Sequence, residues 1–106
     1  MATDNIELTR DAAKVLAVIY GLYKKNGIDQ LNQYFWKNYE KLAEIGEEKI
    51  RQCLSELEDV KCIKLNVLGE ISLERIGILY MENDFSRRFG KVKDVIELVK
   101  SFIPGF

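Results

Sequence analysis

The apolar positions of this chain follow helical spacing over most of its length, with one stretch of strand-like alternation. Val15, Leu16, Ile19, Leu22 and Tyr23 recur at three- and four-residue steps, which predicts a helix from about Thr9 to Lys25. Ala12, Ala17 and Val18 widen its apolar face well beyond one stripe, so this helix belongs at the centre of a core. Thr9 suits an N-cap, Asp11 sits where the helix dipole favours a carboxylate, and Asn26-Gly27 ends the helix. Ahead of it, residues 1–8 read as a loose lead-in.

In Asp29–Tyr39, the residues Leu31, Tyr34, Phe35 and Tyr39 fit a helical stripe. The expectation is a helix from about Asp29, broken near Trp36–Lys37, continuing through Tyr39–Ile45 and ended by Gly46. The aromatics Tyr34, Phe35, Trp36 and Tyr39 read as packing around the first helix. A base-stacking platform needs a strand pattern that is absent here.

Glu47–Asp59 is the clearest amphipathic segment. Ile50, Cys53, Leu54 and Leu57 fall at i, i+3, i+4 and i+7. Glu48, Gln52, Ser55 and Asp59 occupy the opposite face, with Lys49 and Arg51 on the flanks. Cys62–Val67 then alternates, which predicts a strand with Ile63, Leu65 and Val67 on one face. Leu68-Gly69 makes a tight turn, and Glu70–Leu73 returns with Ile71 and Leu73 inward. Helical spacing resumes over Glu74–Asn83 through Ile76, Leu79 and Tyr80.

The last segment, Ser86–Ile103, reads as one helix. Phe85, Phe89, Val92, Ile96, Val99 and Ile103 are spaced 4, 3, 4, 3, 4, the rhythm of a helix–helix seam. Pro104-Gly105 prevents its extension. The seam predicts a homodimer interface through Phe89, Val92, Ile96, Val99 and Ile103, or packing within the same domain.

Composition narrows the chemistry. The 106 residues suffice for one core, and 47% apolar with 31% charged residues argues against disorder. There is no histidine, which removes the commonest general base and metal ligand. Cys53 and Cys62 lack zinc or redox spacing and read as reduced core residues. Phosphate-loop, dinucleotide, zinc-protease and nucleophile-elbow motifs are absent, so no catalytic residue, metal ligand or cofactor is expected, and the chain does not read as an enzyme. The net charge is −1, split as −3 over residues 1–60 and +2 over residues 61–106. No signal peptide and no apolar run of about 20 residues is visible, which points to a cytoplasmic protein without a membrane partner.

The order of these elements, closing on Ile71-Ser-Leu-Glu-Arg-Ile-Gly-Ile-Leu-Tyr80, resembles the winged helix-turn-helix superfamily. Ile71, Leu73, Gly77 and Tyr80 match the pattern that often follows the second wing strand there, with Glu74 in the usual Thr position. Leu42-Ala43 looks like part of the family's second helix, and Ile50, Leu54 and Leu57 like the apolar positions of its recognition helix. The resemblance implies an α+β, mainly helical fold. A three-helix core with a β-hairpin wing would span residues 1–83, and an added C-terminal helix residues 84–106. It also implies double-stranded DNA as partner, bound by a homodimer with helix 47–59 in the major groove.

On that resemblance Lys49, Arg51, Gln52 and Ser55 would face bases or phosphates. Lys37, Lys41, Lys61 and Lys64 would meet phosphates. Three features depart from the pattern. Glu47–Asp59 holds five acids and two bases, only Gly46 and Glu47 separate Ile45 from the next helix where the family usually has a longer linker, and the turn at Leu68-Gly69 carries no cation. They keep open a second reading, a protein-interaction module that never touches DNA.

Overall fold

A computed structural model describes residues 6–103. Its chain forms an α+β, mainly helical fold with a small three-stranded antiparallel sheet. Helix α1 (Arg10–Asn26) comes first, with Thr9 as N-cap accepting a hydrogen bond from Ala12 N. Gly27 closes it at φ 68, a left-handed conformation that glycine adopts without Cβ strain. Ala12, Ala13 and the run from Val15 to Leu22 are buried, so α1 is covered on nearly every side. Helices α3 (Glu47–Asp59) and α6 (Lys93–Lys100) pack on it, and α4 (Arg75–Asn83) joins them. The lead-in contributes as well: Ile6 and Leu8 are buried in the core, contrary to a loose segment, while residues 1–5 lie outside the described residues.

The expected helix from Asp29 does not form. Gln30–Asn32 is instead a strand, β1, with Leu31 opposite Ile71 of β3 (Glu70–Leu73). Asn32 ends it, its side-chain oxygen accepting from Tyr34 N at 2.8 Å. A 3-10 turn over Phe35–Asn38 and the short helix α2 (Glu40–Ala43) follow. The same apolar steps of three and four serve a strand and a turn because β3 needs a second partner. Pairing across about 40 residues outweighs a marginal local helix. Phe35 and Trp36 are buried as expected of core aromatics, and Tyr39 stacks edge-on against Phe102, ring centroids 5.3 Å apart.

The hairpin pairs β2 (Ile63–Leu65) with β3, giving the strand order β1-β3-β2. Asn66 shapes the turn: Gly69 N donates to its carbonyl, and its side-chain oxygen accepts from Leu68 N and Glu70 N. Gly69, at φ 78, completes a type of hairpin that needs a left-handed residue there. Val67 therefore sits at the turn tip in solvent, correcting its place on the inner face of a strand.

The C-terminal segment corrects a second expectation. It is two helices, α5 (Phe85–Phe89) and α6, separated at Gly90–Val92. Val92 N donates to Phe89 O at 3.0 Å, so a single turn carries the three-residue apolar step across the break. Val99 is fully buried within its own chain, which takes it out of any exposed seam; Phe89, Val92, Ile96 and Ile103 are half-buried. Residues 84–103 share the core of the rest. Pro104-Gly105, expected to stop the helix, lies outside the described residues. Among the described residues no helix is long and apolar enough to cross a membrane.

Candidate nucleic-acid interface

Helix α3 follows α2 after Glu44, Ile45 and Gly46, and Gly46, at φ 95, opens it. Ile50, Cys53, Leu54 and Leu57 are buried, so the expected stripe seats the helix. Lys49, Arg51, Gln52 and Ser55 are all exposed, together with Glu48 and Asp59. Lys49 and Gln52 share a surface recess of about 410 Å³ at the start of the helix with Ile45, Gly46, Glu47 and Glu48.

The helix ends in a motif that the sequence did not advertise. Cys62 N donates to Leu57 O at 2.9 Å and Lys61 N to Glu58 O at 3.0 Å, which places Lys61 in the left-handed region at φ 67. Glycine is the usual residue there, so Lys61 holds the position at a conformational cost.

The acids of α3 have uneven duties. Glu56 accepts from Thr9 N (2.8 Å) and Thr9 Oγ1 (3.0 Å), tying the helix to the start of α1. Glu58 accepts from Leu65 N at 3.3 Å on the outer edge of β2. Glu47 pairs with Arg51 at 2.6 Å. Three of the five carboxylates are thus committed within the fold. The exposed groups without such a partner are Glu48, Asp59 and Lys49, while the helix as a whole keeps its net charge of −3, because hydrogen bonds from the neutral donors of Thr9 and Leu65 cancel no charge. Arg51, spent on Glu47, is the less available cation.

The other candidate cations are scattered. Lys37 lies in the 3-10 turn rather than on a helix, with its ammonium 4.9 Å from the Tyr34 ring centroid and 5.7 Å from that of Trp36. Lys41, on α2, pairs with Glu97 of α6 at 3.1 Å. Lys61 and Lys64 open on one recess with Glu58, Ile63 and Glu74. Among the described residues, Lys49, Lys61 and Lys64 form no ion pair. Lys49 and Gln52 are thereby brought together at one end of α3, and Lys61 and Lys64 at the other.

Two exposed apolar features were not anticipated. Val67 (101% exposed) and Leu68 (78%) crown the hairpin, and Tyr34 (46%) stands beside it. Gln33 links them: its N donates to Gly69 O at 3.1 Å, and Gln33 and Tyr34 line a crevice with Glu47 and Arg51. The alternation of the strand hid the tip, because the asparagine turn and not the period decides where β2 ends.

Burial pushes the thiols of Cys53 and Cys62 up to about 11, so both are protonated at neutral pH. Among the described residues no group of His, Cys, Asp and Glu is placed to hold a metal ion. Comparison with known proteins finds no family model that matches the chain, and no curated protein or solved structure that resembles it.

Proposed function

We propose that the chain is a winged helix-turn-helix domain of the cytoplasm that binds duplex DNA through α3. The supporting observation is the outer face of α3, where Lys49, Gln52 and Ser55 stand exposed side by side while the opposite stripe is fully buried. Such a helix can enter a major groove without disturbing its seat. The element order supports the fold reading: β1, from the connector between α1 and α2, joins the hairpin in one sheet. In this reading Gln52 and Lys49 meet base edges, and Lys61 and Lys64 meet phosphates. A homodimer would pair through Phe89, Val92, Ile96 and Ile103, without Val99.

The test is fluorescence anisotropy with mixed-sequence duplex DNA at low and moderate salt. Binding should appear at low salt and weaken steeply as salt rises, because each phosphate contact releases counterions. Lys49→Ala with Gln52→Ala should weaken it about tenfold or more. No affinity even at low salt removes the proposal.

A specific observation favours a second reading, a protein-interaction module. Val67 and Leu68 at the hairpin tip offer phosphate nothing and offer a protein an apolar anchor. Under that reading, charge reversal of Glu48 or Asp59 abolishes partner capture while Lys49→Ala does not.

A further inference from the structure

Away from α3, the start of α1 meets the start of α6 around a surface recess of about 620 Å³. Arg10, Lys91, Val92, Lys93, Asp94 and Glu97 line it. Both acids are already engaged: Asp94 with Lys14 at 2.6 Å, Glu97 with Lys41 at 3.1 Å. Asp94 also accepts from Val95 N at 3.0 Å, so its carboxylate occupies one of the free amides in the first turn of α6. Arg10, Lys91 and Lys93 remain exposed and, among the described residues, without an ion pair.

Three exposed cations thus gather on one recess in a chain whose net charge is −1, with Arg10 near enough to Asp94 to act on its carboxyl. Two of the positions disfavour positive charge. Arg10 and Lys93 are the first residues of their helices, where the helix dipole disfavours a positive charge. Lys91 is fixed beside them by the turn between α5 and α6. An anion of two or more charges would relieve all three, and guanidinium and ammonium groups both suit phosphate oxygens.

We propose that this recess binds a phosphate-bearing anion through Arg10, Lys91 and Lys93. The site is separate from α3 and does not depend on its role. The phosphate can belong to a free polyphosphate ester or to a nucleic-acid backbone.

The experiment titrates the full chain with inorganic tripolyphosphate at low salt, followed by amide NMR shifts, with mixed-sequence duplex DNA as competitor. Tripolyphosphate should bind saturably, with the largest shifts at Arg10 and at residues 91–94. The triple variant Arg10→Gln, Lys91→Gln, Lys93→Gln should weaken it about tenfold or more. All three side chains are exposed and two sit where the helix dipole disfavours a cation, so the variant should fold with a thermal midpoint at or slightly above that of the wild type. Lys49→Gln with Lys64→Gln should leave tripolyphosphate binding unchanged. Displacement by duplex assigns the phosphate to a backbone; no displacement assigns it to a free ligand; either supports the site. Absence of binding, or equal binding by the triple variant, overturns it. Loss of DNA affinity only in α3 variants would leave the α3 reading standing when this one falls.

Discussion

Helices α1 and α3 pack against each other and come from equally plain apolar spacing, yet the fold covers them to very different extents. In α1 four consecutive residues, Leu16, Ala17, Val18 and Ile19, are at most 2% exposed. In α3 burial stops at one stripe, and every polar residue except the tethered Glu56 is exposed. A helix covered all round leaves no side for a ligand. One covered on a single side can meet a partner at no cost to its seat, provided its caps and tethers hold. The two helices thus differ in how much of their circumference is covered, and a presenting role for α3, as proposed, would follow from that difference.

The sharpest way to break this contrast is a matched pair of truncations. Leu16→Ala should cost about 3 kcal/mol, from lost transfer energy plus the cavity left behind. Gln52→Ala should change stability by less than about 0.5 kcal/mol. Urea unfolding with an unchanged slope reads both. Comparable losses would mean that the outer face of α3 is covered and cannot present anything.

Gly21 tests the same contrast at closer range. A Cβ there would run into Phe102, whose Cβ and ring root crowd α1 from the C-terminal segment. Helix propensity alone would make Gly21→Ala stabilising by about 1 kcal/mol. The crowding should reverse the sign, to a net loss of about 1–2 kcal/mol, and should disturb the Phe102–Tyr39 contact seen in aromatic NMR shifts. A stabilised Gly21→Ala would show that Phe102 does not seat on α1.

Lys61 sharpens the contrast from the α3 side. Its left-handed conformation makes Lys61→Gly stabilising by about 1 kcal/mol in thermal or urea unfolding. If the residue meets phosphate, as proposed, the same variant binds DNA more weakly while folding more tightly. A gain in stability with unchanged affinity would leave Lys61 as a solvent-facing cap residue.

The parts legible in the sequence were those where local and global demands agree. Thr9, Gly27 and the α1 run, the stripe of α3, and Ile71 on β3 stand where the spacing put them. The misread parts have a nonlocal or side-chain cause. Leu31 became a strand residue because Ile71 lies opposite it, 40 positions away. Val67 left the strand because Asn66 turns the backbone. The C-terminal seam kept its rhythm through a turn at Gly90–Val92 that a spacing rule cannot distinguish from helix. At the candidate interface, exposure of Lys49, Gln52 and Ser55 was legible. That Glu56, Glu58 and Arg51 are tied up was not, since Thr9, Leu65 and Glu47 reach them only in the folded chain or by rotamer choice.

The smallest expected effect lies on the flank of α1, where Lys14 pairs with Asp94. The hydrogen bond from the Lys14 ammonium holds the Asp94 carboxyl below its ordinary value, with Arg10 adding to the pull and burial opposing it. A carboxyl depressed in the folded state contributes stability above its unfolded pKa, near 4, and loses that contribution as pH falls through the folded value. The side chains are 12% and 36% exposed, so solvent screening keeps the contribution under about 1 kcal/mol. Asp94→Asn should therefore lower stability slightly at pH 7 and leave it nearly equal to wild type once the pH is well below 4. Urea midpoints across pH 2–7 check this. A difference that persists at the acid end would mean that Asp94 acts through its bond to Val95 N, which asparagine keeps only in part, rather than through charge on the flank of α1.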